Sequence, residues 1–137
     1  LSAIDARSTV PVHVAVGIVV NNDRQVLVSL RHPDSHQGGL WEFPGGKIEE
    51  SEGIAAALRR EIQEELGLEV LKSEPFIGIS HYYHDKWVFL DVWKVTDYRG
   101  NAEGREGQEI EWRPISKLKA GDFPAANIEI IEKLQSM

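Results

Sequence analysis

Ile54, Leu58, Ile62 and Leu66 recur at four-residue spacing and stop at Gly67. That period predicts one amphipathic helix over 51–66, with Ser51 as its N-cap and Gly67 just past its end. A helix with a single apolar stripe needs an apolar surface to receive it, and strand patterns stand on both sides of it. Residues 12–20 (VHVAVGIVV) are a β-branched run, Asn21-Asn22-Asp23 carries turn chemistry, and 25–30 (QVLVSL) is a second run, so the pair reads as a hairpin. Leu40-Trp41-Glu42-Phe43 is a short apolar piece stopped by Pro44-Gly45-Gly46. Residues 76–83 and 87–95 read as strands about a turn at His84-Asp85-Lys86. In the second of these, Trp87, Phe89 and Trp93 lie on one face and Val88, Leu90 and Val92 on the other, which predicts a central strand. A polar loop over 98–108, a short strand at Ile110-Glu111-Trp112, a turn at Pro114 and a helix over 126–135 follow. The order predicts an α/β (α+β) domain, a mixed β-sheet sandwiched between helices.

The 137 residues, 42% of them hydrophobic, suffice for one core, so 12–137 is expected to be a single domain and 1–11 a flexible tail. With 22 acidic against 15 basic residues the net charge is −7, which disfavours a nucleic-acid polymer as partner. A small anionic ligand remains open if a metal ion mediates. The absence of cysteine excludes disulfides, thiolate zinc sites and a Cys nucleophile. No stretch approaches the ~20 apolar residues of a membrane span, nor is there a signal-peptide core, so the expectation is a cytoplasmic protein with no membrane partner.

The same helix carries Glu61, Glu64 and Glu65 in its last two turns, where the backbone dipole favours cations. With Glu61 at zero and about 100° per residue, Glu65 falls near +40°, Glu64 near −60° and the apolar stripe across roughly +20° to +140°. The three carboxylates therefore abut the core edge and should face a cleft. Like charges at this spacing each cost ~0.2–0.5 kcal/mol, and a divalent cation would reverse that sign. Clustered carboxylates without His or Cys favour Mg²⁺, with Mn²⁺ as substitute. Arg60, four residues before Glu64, is expected to hold its carboxylate in place. From the three Glu alone a solvated acidic face is an equally good account.

The spacing of the whole segment separates the two accounts. Gly46, five residues, Glu52, seven residues, Arg60-Glu61-Ile62, one residue, Glu64-Glu65, one residue, Gly67-Leu68 matches without departure the box of the Nudix hydrolases. Beyond the box, VAVGIVV (14–20), LWEFPGGKIE (40–49), GREGQEIEW (104–112) and DFPAAN (122–127) resemble the mutator-type 8-oxo-dGTP diphosphatases of bacteria. The resemblance implies the Nudix fold, and metal ligands at Glu61, Glu64, Glu65, Glu106 and the Gly45 carbonyl, with Arg60 in the catalytic box. It also implies a small-molecule nucleotide substrate and a monomer. The activity implied is hydrolysis of 8-oxo-dGTP, and less efficiently dGTP, to monophosphate and pyrophosphate by water attack at the β-phosphorus. Glu61 or Glu106 would be the base. Another nucleoside diphosphate derivative is the alternative: ADP-ribose, a dinucleoside polyphosphate or a pyrimidine triphosphate. Arg31 resembles the family's nucleotide-contacting Arg, with His36 and Lys86 as further candidates for that pocket. Asn127 offers a donor and an acceptor side by side, which suits the O6 and protonated N7 edge of 8-oxoguanine, although Asn is also a favoured helix cap. Ala125-Ala126 stands where relatives often carry a second Pro, which would leave this loop less rigid.

Overall fold

The computed structural model describes residues 11–35, 38–83 and 85–137. The expected tail (residues 1–10 of it), His36 and His84 of the predicted turn lie outside the described residues. The elements run β1 (Val12–Val19), β2 (Gln25–Leu30), β3 (Trp41–Glu42), β4 (Gly45–Lys47), α1 (Ile54–Leu66), β5 (Glu69–Tyr83), β6 (Lys86–Arg99) and β7 (Ile110–Pro114). Three 3₁₀ turns, Ile115–Lys117, Ala120–Asp122 and Ala125–Asn127, then lead to α2 (Ile128–Ser136).

The mixed sheet has the order β4-β1-β6-β5, with β1 parallel to β6 and the other pairs antiparallel. Beside it lies a smaller antiparallel sheet, β3-β2-β7. As its two apolar faces predict, β6 is an interior strand. Side-chain alternation then serves a helix on each face. Val16 and Ile18 of β1 and Val26 and Val28 of β2 pack in one cluster with Ile130, Ile131 and Leu134 of α2. Val19 and Leu27 point the other way, into a cluster with Leu58, Ile62 and Leu66 of α1. A Cβ on Gly17 would stand 2.7 Å from Ile62 Cδ1, so α1 rests on β1 with no room between them. Among the described residues no helix is long and apolar enough to cross a membrane.

Two local expectations are corrected. β1 and β2 are not a hairpin: they belong to different sheets and share only the Val20–Val26 bridge. Residues 15–19 and 26–29 are buried throughout, so each strand needs partners on both edges. The turn chemistry was real, since Asn21 Oδ1 accepts the Asp23 and Gln25 N–H groups at 3.0 Å each, but it turns the chain from one sheet into the next. Nor does Ser51 cap α1. It sits in a turn at φ +69°, Gly53 is the N-cap without a side-chain bond, and Ala57 replaces Ile54 in the fully buried stripe. The competing interaction is at Glu52, whose Oε1 accepts the Glu49 N–H at 2.9 Å and keeps the chain turning until Gly53. Gly67 ends the helix as expected, at φ 71° with its N–H bonded to the Gln63 carbonyl.

Candidate active site

Because α1 lies directly on the sheet, its last two turns face the Gly45-Gly46 backbone of β4. A Cβ at Gly46 would lie 2.4 Å from Glu61 Oε2, and one at Gly45 would lie 2.0 Å from the Ala15 carbonyl. Gly46 is thus what lets the Glu61 carboxylate lie against the sheet edge, and Gly45 is what lets β4 close on β1. Glu65 follows one turn later, and its Oε2 accepts the Gly45 N–H at 3.3 Å.

Arg60 organises the start of the cluster. Its Nε and Nη2 donate to both Glu52 oxygens at 2.7 and 2.9 Å, its Nη1 to Glu61 Oε1 at 2.7 Å, and Nη2 also to the Lys47 carbonyl. The expected hold on Glu64 is the weaker contact, 3.5 Å to a side chain that is 55% exposed. The fork–fork bond to Arg60 holds the Glu52 carboxyl down to about 2, helped by the Glu49 N–H, and the bonds to Glu52 and then Glu61 raise the Arg60 guanidinium.

Glu65 is pushed the other way. Burial raises its carboxyl well above the usual range, and a hydrogen bond with Glu61, then the charges of Glu61, Glu106 and Glu42, reinforce the effect. A half-buried carboxyl beside other acids is favoured in its neutral form. Glu65 opens on a cavity of about 450 Å³ that is also lined by Arg31, Glu42, Glu106 and Gln108. Arg31 Nη1 donates to Glu42 Oε1 at 2.6 Å, and burial raises the Glu42 carboxyl against the pull of Arg31.

The structure therefore brings Gly45, Arg60, Glu61 and Glu65 into one cluster, and Glu65, Glu106 and Arg31 into one cavity. Other residues of the expected set stand apart. Glu64 is turned to solvent, and Lys86 is exposed at the start of β6. Asn127 lies where the last 3₁₀ turn enters α2, partly exposed, and its side chain makes no capping bond. Its segment is tied to the site region by Phe123, which stacks on Phe43, next to Glu42, with centroids 5.2 Å apart. His36 lies outside the described residues.

Among the described residues no three carboxylate or imidazole side chains converge on one point. What is assembled is an oxygen-only donor set, the Glu61 and Glu65 carboxyls against the Gly45-Gly46 backbone, which is the chemistry a hard divalent cation takes. Three residues of this site were given no role from the sequence: Glu52, Glu42 and Gln108. Glu52 carried a signal, its fixed place in the box. Glu42 and Gln108 show their contacts only once the loops are folded.

The family described as the NUDIX domain matches residues 11–134. The chain is 37% identical over 124 residues to the 8-oxo-dGTP diphosphatase of Escherichia coli (strain K12), spanning 90% of this chain and 96% of that protein. It is also 34% identical over 115 residues to the CTP pyrophosphohydrolase of the same organism, 84% of either chain. A solved structure from work on MutT of Aliivibrio salmonicida and Vibrio cholerae superposes with a TM-score of 0.80 at 32% identity, covering 93% of this chain and 98% of that one. With the box intact on a loop, helix and loop, and a match running through both sheets and both helices, the chain belongs to the Nudix family.

Proposed function

We propose that this protein is a Mg²⁺-dependent nucleoside triphosphate pyrophosphohydrolase, a cytoplasmic monomer that converts 8-oxo-dGTP, and less efficiently dGTP, to monophosphate and pyrophosphate. Its role would be to keep the oxidised nucleotide out of DNA synthesis. The observation that carries the reading is the Glu61–Glu65 pair against Gly45-Gly46, opening on a cavity that also holds Arg31 and Glu106. The name of the Escherichia coli relative supports the substrate.

The carboxylates of Glu61, Glu64, Glu65 and Glu106 and the Gly45 carbonyl would hold the metal, with Mn²⁺ as substitute. When bound, such an ion would supply charge neutralisation of the triphosphate and a lowered pKa for the attacking water. Arg60, locked by Glu52, fixes the rotamer of Glu61. Glu61 or Glu106 takes the proton from the water as it attacks the β-phosphorus. Arg31 supplies the cation for the nucleotide in the cavity. Asn127 selects the base: its amide pairs with O6 and the protonated N7 of 8-oxoguanine, whereas the bare N7 acceptor of guanine leaves a group unsatisfied at ~1–3 kcal/mol.

Pyrophosphate release from 8-oxo-dGTP, dGTP and CTP, measured side by side with Mg²⁺, tests this reading. The highest kcat/KM is expected for 8-oxo-dGTP. Equal values for 8-oxo-dGTP and dGTP would end the selectivity claim. A preference for CTP would establish the second reading, which the CTP pyrophosphohydrolase relative favours.

A further inference from the structure

Glu106 is an exposed carboxylate on an irregular loop, yet it lines one cavity with Glu65 on α1 and acts with it in the reaction proposed above. We propose that Gln108 is the positioning residue that couples them, spanning loop and helix with the two ends of one amide. Its Nε2 donates to the Glu65 carbonyl at 3.0 Å, and its Oε1 accepts the Glu106 N–H at 2.9 Å. A carbonyl only accepts and a peptide N–H only donates, so the amide has a single orientation. Glutamate at this position would lack the donor, and methionine of similar length would lack both groups.

The remaining ties of the loop show what Gln108 alone contributes. Ahead of Glu106, the Glu103 N–H donates to the Leu66 carbonyl and the Arg105 N–H to the Glu65 carbonyl, each at 3.0 Å. Behind it, the Leu30 N–H donates to the Glu109 carbonyl at 2.9 Å. These main-chain bonds dock the loop on α1 and β2 without any help from Gln108. On either side of Glu106, the Gly107 N–H is held by the Gly104 carbonyl at 3.1 Å, whereas the Glu106 N–H is held by the glutamine side chain. Gly104 completes the arrangement, because a Cβ there would lie 2.1 Å from the Gln108 carbonyl. Removing the amide should therefore release Glu106 while leaving the loop docked, and misplacing a reacting group by about an ångström costs on the order of 100-fold.

The inference rests on the role given to Glu106 above, and the test separates the two. Gln108→Met, Gln108→Glu, Glu106→Gln and the double variant Glu106→Gln/Gln108→Met are assayed on 8-oxo-dGTP with Mg²⁺, and their Tm is recorded. Gln108→Met and Gln108→Glu are expected to lower kcat by roughly 10- to 100-fold with KM and Tm as in the parent. In the Glu106→Gln background the Met substitution should add nothing further. Parent-like kcat in Gln108→Met, or a full additional loss in the double variant, would overturn the coupling while leaving Glu106 in place. A fall of Tm in both single Gln108 variants would overturn it too, by making the residue structural. Parent activity in Glu106→Gln would instead remove Glu106 from the reaction, and the coupling with it.

Discussion

Glu52 and Glu65 stand at opposite ends of the carboxylate range, and the difference is one of neighbours. Glu52 faces a guanidinium fork, whereas Glu65 is buried among other acids. Replacing Glu52 by Gln removes the charge that anchors Arg60, and loss of such a supporting partner typically costs roughly 10- to 100-fold in activity. Steady-state kinetics on Glu52→Gln should show this loss with the far-UV spectrum unchanged. The pH dependence follows from the same two groups. For Glu52 the folded value lies below the unfolded one, near 4.5, so its stabilisation is present above pH 4.5 and disappears as pH falls toward 2. For Glu65 the folded value lies above 4.5, so the folded chain keeps a proton that the unfolded chain has lost, and stability falls as pH rises from 4.5. Metal-free protein should thus lose Tm as pH rises from about 4.5 towards about 9, and the gain from added Mg²⁺ should grow over the same interval as cation replaces proton. A Tm flat over that interval, with or without Mg²⁺, would contradict the raised Glu65 carboxyl. Although Glu64, at the outer edge of the same arc, turns to solvent, Glu61 and Glu65 were legible as a pair because helical spacing aligns them. Arg60's main partner was not, because its bond to Glu52 spans the turn that also displaces the helix start.

At the level of elements, α1 explains how acids are tolerated at a negative helix end. The helix has no basic residue in its last turn. The loop after β6 supplies what is missing: the Arg105 guanidinium lies over Gly67, and two main-chain N–H groups and the Gln108 amide meet the Glu65 and Leu66 carbonyls. Gly67→Ala would force a side chain into the left-handed region, at about 1–2 kcal/mol. It would also place a Cβ 2.6 Å from Arg105 Nε. The expected outcome is a lower urea midpoint together with weaker activity, since the displaced loop carries Glu106. A variant that loses stability and keeps full kcat would show that docking the loop is not needed. The stop at Gly67 could be read from the sequence because glycine there has one local meaning. The pairing of β1 could not, since its partners β4 and β6 lie far along the chain and burial on both faces erases the alternation that would have named them.

Across the whole molecule, the mixed sheet and helices were legible from the order of patterns, while the division into two sheets was not, because it depends on where each strand finds its edges. The division of chemistry follows the two faces of the sheets. The α1 side carries the acids, and the α2 side carries the Asn127 segment. Phe123 and Phe43 are 3% and 5% exposed, and their stack spans eighty residues of chain to join that segment to the strip beside Glu42. Phe123→Leu should loosen this join without a large cavity, at about 1–3 kcal/mol. The preference for 8-oxo-dGTP over dGTP is then expected to shrink while turnover of dGTP persists. Equal loss on both nucleotides would mean that the stack serves the acids as well.

That ring pair also has an evolutionary consequence. The segment is held by the Phe123–Phe43 stack, by Asp122 on Arg113 at 3.6 Å and by Ala126 against the core, none of which involves the helix that bears the acids. If Asn127 selects the base as proposed, a lineage built this way can keep its hydrolytic acids and change which nucleotide it consumes by altering that segment alone.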